Sequence, residues 1–143
     1  MPIKPENRGR YPANWKAIRA RILARAGNCC EWCHVPNKAR ILRGTGGDAE
    51  TYMDGDARVF CANTGEYFGQ MHMSNYECAG HWINIVLTVA HLDHQPENCA
   101  DDNLRALCQR CHLKHDAEHH RANAAATRHA RKAIGDLFEG DTR

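Results

Sequence analysis

VAHLDHQPENCADDNLRALCQRCH, residues 89–112, is the stretch that decides the fold. A β-branched run enters a polar stretch containing Pro96 and Asn98. A short apolar segment follows, and the Cys108-Gln109-Arg110-Cys111 pair ends directly at His112. Far upstream, Cys30-Glu31-Trp32-Cys33 repeats the C-x2-C spacing. Two such pairs supply four thiolates in the arrangement a tetrahedral zinc site takes, so Cys30, Cys33, Cys108 and Cys111 are the expected structural zinc ligands. Disulfides are the competing reading, and they would suit a secreted chain. Cys29, Cys61, Cys78 and Cys99 have no paired spacing. Cys29 reads as a neighbour of the first knuckle and the other three as buried thiols.

Working outward, residues 82–92 (WINIVLTVAHL) read as one strand, 95–102 as a polar turn and 104–107 as a second strand. A helix follows from about Cys111 through Ala126, extendable to Leu137. Upstream, Asn14 can cap a helix over 15–26, in which Trp15, Ile18, Ile22 and Leu23 recur near helical spacing and Gly27 supplies the stop. Residues 34–80 are rich in Gly, Asn, Asp and Tyr, with short apolar runs at 58–61 and 67–71, and read as an irregular or hairpin insertion. Trp15 and Trp32 read as packing residues.

At 143 residues the chain is one domain's worth, and 43% apolar with 25% charged is ordinary for a globular protein. Aromatics are only 7% and mean hydropathy is −0.66, so the core is modest and a metal would add folding free energy that burial alone does not supply. No window has the length of apolar sequence a membrane span needs, and MPIKPENRGR lacks the apolar core of a signal peptide; the expected location is the cytoplasm. Net charge is +2 but unevenly placed: residues 1–43 carry ten Lys/Arg and two Asp/Glu, whereas residues 44–103 carry one and ten. A basic N-terminal arm with Arg8, Arg10, Lys16, Arg19, Arg21 and Arg25 could neutralise nucleic-acid phosphates, or it is a solvated helix face. The acidic middle should face away from a duplex.

Strand, loop, strand, knuckle, helix is the order of a ββα-metal finger. The residues resemble a zinc-containing HNH endonuclease. Family members often read V-H-H-I-D-G-x-x-x-N-N-x-x-x-N-L before the second knuckle. Here Val89-Ala90-His91-Leu92-Asp93-His94, then Asn98, Asn103 and Leu104, fall in register. The match covers 28–34 and 89–120, about 40 of the 143 positions. It implies an α+β fold: a treble-clef-like ββα-metal finger braced by the four-cysteine zinc site, with an N-terminal helix and an inserted segment. As a single nuclease domain the chain would comprise a basic arm and helix (1–27), the first knuckle (28–34), the insertion (35–80), the finger with the second knuckle (81–121) and a C-terminal helix or tail (122–143). The implied activity is metal-dependent hydrolysis of DNA phosphodiesters, and the implied source is bacterial, phage or mobile-element.

That chemistry needs a base for water, a cation against the phosphate and a rigid mount for both. His91, at a strand end, is the expected general base, because imidazole titrates near neutrality. His112 is the expected ligand of the catalytic cation, and Asp116, four residues on, the second. The resemblance gives Asn103 the role of fixing the loop and orienting His91. One position departs from the family: Ala90 replaces a usual ligand, so Asp93 or His94 would have to fill that coordination site. A competing register takes Asp93-His94 as the ligand-base pair and shortens the span to Asn103 from twelve residues to nine. His115 could join the cation, while Arg19, Arg110 and Lys114 could contact phosphate. Oxygen ligands favour Mg²⁺ or Mn²⁺, and a histidine-rich site Zn²⁺ or Ni²⁺. A single finger reads few bases, so weak sequence preference is expected unless a homodimer or a phage or defence partner adds specificity. The alternative reading is a non-catalytic zinc-dependent module that binds DNA or protein.

Overall fold

The computed structural model describes residues 5–141; residues 1–4 of the basic arm and 142–143 of the tail lie outside the described residues. The chain divides into two compact units, Met1–His112 and Leu113–Arg143.

In the first unit a 3-10 turn at Pro5–Arg10 precedes helix α1, Trp15–Arg25. Ile18 and Ile22, one turn apart, are its buried residues. Asn14 makes no side-chain cap bond, so the expected cap is not formed; its carbonyl instead accepts the Ile18 amide at 3.1 Å. The C-terminus is a Schellman closure: Asn28 N donates to Leu23 O and Gly27 N to Ala24 O, with Gly27 at φ +65°. This stop turns the chain into the first knuckle, where Cys30 N donates to Val35 O at 2.9 Å.

The inserted segment is more regular than its composition suggests. Strands β1 (Arg40–Arg43), β2 (Thr51–Met53), β3 (Arg58–Cys61) and β4 (Tyr67–Gln70) form an antiparallel meander, joined at the β1 edge by β5 (Ile83–Asn84). Short polar side chains close its turns: Asp54 Oδ1 accepts the amides of Asp56 and Arg58. The β3–β4 hairpin lies on the first knuckle. A Cβ at Gly65, φ +79°, would stand 2.6 Å from Cys33 O, which is why a glycine sits there.

Residues 82–92 are not one strand. They divide into β5 and β6 (Thr88–His91), which belong to different sheets. Between them Ile85 and Leu87 are fully buried while Val86 is 53% exposed. The backbone leaves the first sheet because other partners take its amides: Asn37 Oδ1 accepts Leu87 N, and the Gln109 side chain bridges Val86 N and Asn84 O. β6 pairs antiparallel with β7 (Leu104–Leu107), setting Thr88 opposite Leu107 and His91 opposite Leu104.

Helix α2 runs Gln109–Asp141, starting two residues before the expected Cys111. Its first turn belongs to the first unit. The second unit is its continuation, where Asn123 pairs with His119 and Thr127 Oγ1 donates to Asn123 O. No helix among the described residues is long and apolar enough to cross a membrane.

Three clusters fill the first unit. One surrounds the four cysteines with Val35, Ile41, Ile85, Leu87 and Leu107; one joins α1 to the β6–β7 pair through Ile18, Ile22, Val89, Leu104 and Ala106; one lies in the meander around Leu42, Met53, Val59 and Tyr76. Each fully buried Ile or Leu contributes about 1.5–3 kcal/mol.

Candidate metal centre and the adjoining strand-loop-strand

Cys30, Cys33, Cys108 and Cys111 are buried and unbridged, and their sulfur atoms all lie within 4.8 Å of one another. The Cys33 and Cys108 sulfurs are 3.6 Å apart, far beyond a disulfide and close to the edge of about 3.8 Å that a tetrahedron with 2.3 Å Zn–S bonds requires. Donor type, number and spacing therefore fit a zinc ion. The knuckles are tied to the β6–β7 pair: Glu31 N donates to Ala106 O and Ala106 N to Glu31 Oε1, while Arg25 donates to Glu31 and to Leu104 O. Hydrogen bonding from the Cys111, Cys30 and Cys33 thiols pulls the Cys108 thiol down.

Beside this centre, a polar clasp shapes the loop between β6 and β7. Asn103 Nδ2 donates to Asp93 Oδ1 at 2.9 Å and to Asn98 O at 2.8 Å; its Oδ1 accepts Asp93 N at 3.2 Å. Asn98 Nδ2 and Gln95 N complete the shell around Asp93. Hydrogen bonds from Asn98, Asn103 and the Gln95 amide bring the Asp93 carboxylate down to about 2. Asn103 thus fixes the loop, but its hydrogen bonds run to Asp93 and Asn98 rather than to His91. Asp93 lies past the end of β6, in the loop, and its carboxylate accepts the clasp bonds, while Ala90 is itself buried.

The two histidines of this region are in different surroundings. His91, 9% exposed, stacks on Trp15 at 5.0 Å between ring centroids and meets the edge of Tyr11 at 5.7 Å; its Nε2 is 3.7 Å from Cys99 Sγ. Burial pushes its pKa down. The ring is enclosed by Trp15, Tyr11 and Cys99. His94 is half-buried at the turn of the loop, at φ +57°, with its amide bonded to His91 O. Left-handed backbone at a non-glycine residue costs about 1–2 kcal/mol. The loop sustains that cost through the clasp on either side.

His112 opens α2 opposite β6. Its Nδ1 is 2.6 Å from Thr88 Oγ1, and its amide donates to Cys108 O. The Thr88 contact fixes the orientation of the ring. Lys114, His115 and Asp116 lie on the helix of the second unit, where the Asp116 carboxylate is 4.0 Å from His120 Nε2.

Much of the basic arm is internally engaged. Arg10 bonds Glu97 and Gln95, Arg21 bonds Asp101, and Arg25 bonds Glu31. Arg19 reaches Leu87 O at 3.3 Å, and Arg110 donates to Ala62 O and Asn63 Oδ1. These cations clamp the loop, the knuckles and the hairpin. Arg8 and Lys16 stay exposed.

Sequence reasoning missed the Trp15–His91 stack, the Thr88 contact to His112 and the clasp role of Asp93. Only the last carried a signal: Asp, Asn and Asn at 93, 98 and 103 are side chains suited to closing turns. Comparison with protein-family models, curated proteins and solved structures gives no match.

Proposed function

We propose that the chain is a metal-dependent DNA endonuclease of the HNH type, built on a ββα-metal finger formed by β6, β7 and the start of α2. The observation that carries this reading is the Thr88–His112 contact directly after a buried four-cysteine cluster, with the Asn103 clasp holding the intervening loop. A strand, a clasped loop and an oriented histidine at a helix start give the rigid mount that phosphodiester hydrolysis requires.

His112 would hold the divalent cation through Nε2. When bound, that cation neutralises charge on the scissile phosphate. His94, in the loop, takes the proton from the attacking water as the oxygen–phosphorus bond forms and the bond to the leaving sugar oxygen breaks. The enclosure of His91 favours this register over one with His91 as base. His91 then anchors the N-terminal segment to β6.

The test is nicking of supercoiled plasmid by zinc-loaded protein with Mg²⁺, Mn²⁺, Ni²⁺ or EDTA, beside His91→Ala, His94→Ala and His112→Ala. Cation-dependent nicking that falls by about a hundredfold in His94→Ala with zinc content unchanged is the expected result. Loss confined to His91→Ala would return the base to His91. Absence of nicking with every cation would leave a zinc-dependent binding module, and an RNA substrate run in parallel separates the two polymers.

A further inference from the structure

A cation stands against the cysteine cluster. Arg43 ends β1 and pairs across the sheet with Tyr52. Its guanidinium carbon lies 5.9 Å from the centroid of the Tyr52 ring, and Nη2 is 3.8 Å from Cys108 Sγ. Its Nη1 is buried without a hydrogen-bond partner among the described residues. Tyr52 is itself fixed, donating its hydroxyl to Cys33 O at 3.1 Å. The platform under Arg43 is therefore tied to the first knuckle while its charge addresses a sulfur of the second.

We infer that Arg43 is the charge-compensating partner of the four-cysteine centre and protects Cys108 from electrophiles. Four thiolates around one Zn²⁺ carry a net charge of about −2, and they sit in a buried cluster where an uncompensated charge is costly. A buried unpartnered N–H is costly, and attraction to the thiolates offsets that cost. A charge-assisted N–H···S bond withdraws electron density from Cys108, which makes that sulfur a poorer nucleophile and its bond to zinc harder to exchange. Zinc loss on alkylation or oxidation is thus set by a residue 65 positions away in sequence. This inference is independent of the nuclease reading.

The experiment is zinc release from the full chain on treatment with N-ethylmaleimide, followed with a chromogenic chelator and by peptide mapping of the adducts. In that reaction a cysteine sulfur forms a bond to one alkene carbon, the other carbon takes a proton from water, and the Zn–S bond breaks. Arg43→Met should release zinc about tenfold faster, with the first adduct on Cys108, while Arg43→Lys, which keeps the charge and loses the fork, falls between. In cobalt-loaded protein the sulfur-to-metal charge-transfer band should move to lower energy in Arg43→Met, a signature that loose packing alone would not give. Equal release rates and an unmoved band in a folded Arg43→Met chain would overturn the inference. Should Arg43→Met fail to fold, Arg43→Lys decides: faster release with a band shift upholds the role, and wild-type behaviour ends it. A wild-type chain that takes up neither zinc nor cobalt would sink the centre and its partner together.

Discussion

The cysteine cluster and the β6–β7 loop adjoin opposite ends of one strand pair, and different physics holds them. The cluster brings together four apolar-buried thiols from two knuckles, in an arrangement that one zinc ion would satisfy. The loop is an exposed set of neutral and acidic side chains that satisfy each other, Asn103 to Asp93 and Asn98 to Asp93. Without an ion the four sulfur atoms would be left to one another in a buried site. Removing one amide from the second leaves its neighbours a route to water. The left-handed backbone at His94 is held by side chains that can exchange their bonds with water, whereas the cysteines are held in a buried cluster.

The largest expected effect follows from the ion. Stripping zinc with a strong chelator, or changing Cys108→Ser, should abolish the cooperative unfolding of the first unit, since structural zinc contributes on the order of 10 kcal/mol to folding. Circular dichroism melts with and without zinc measure this; an unchanged melt would make the cluster an ordinary thiol core. Next is the cluster under α1. Ile22→Ala should cost about 2–5 kcal/mol by chemical denaturation, and a cost below about 1 kcal/mol would show that α1 is not packed on β6 and β7 as described.

His91 gives a pH dependence of intermediate size. Its folded pKa lies below the unfolded value, so the folded state holds it neutral. The contribution is complete above about pH 6.5, the unfolded value, and fades as pH falls toward the lower folded value. Wild-type stability should therefore drop as pH falls below about 6.5 more steeply than that of His91→Phe, which keeps the stack on Trp15 and has no proton to gain. Parallel slopes would place His91 in contact with solvent. Asn103→Ala should be smallest in global stability, about 1 kcal/mol, yet should speed amide exchange at Asp93, whose N–H bonds the Asn103 side chain, more than at Leu92, whose N–H bonds the backbone carbonyl that alanine keeps. Uniform exchange across β6 and the loop would erase the distinction between the two regions.

The same contrast explains what the sequence made legible. The C-x2-C spacing at 30–33 and 108–111 is imposed by a metal's coordination geometry, which leaves its mark locally in the chain. α1 announced itself through Ile18 and Ile22, and β7 through Leu104–Leu107. The role of His91 did not, because it is decided by Trp15 and Tyr11, roughly 80 residues away, whose packing no local pattern encodes. The 82–92 run misled for a related reason. Its β-branched composition favours extended backbone throughout, but Asn37 and Gln109 capture its amides midway and send it into a second sheet. The meander was underread because its strands are three or four residues long and separated by turn-forming Asp, Asn and Gly.

The most direct measurement on the central claim, a scaffold organised by four thiolates around zinc, is X-ray absorption at the zinc edge of the purified chain. The expected result is one zinc per chain with four sulfur neighbours at about 2.3 Å. A first shell containing nitrogen or oxygen, or a chain folded without zinc, would contradict it.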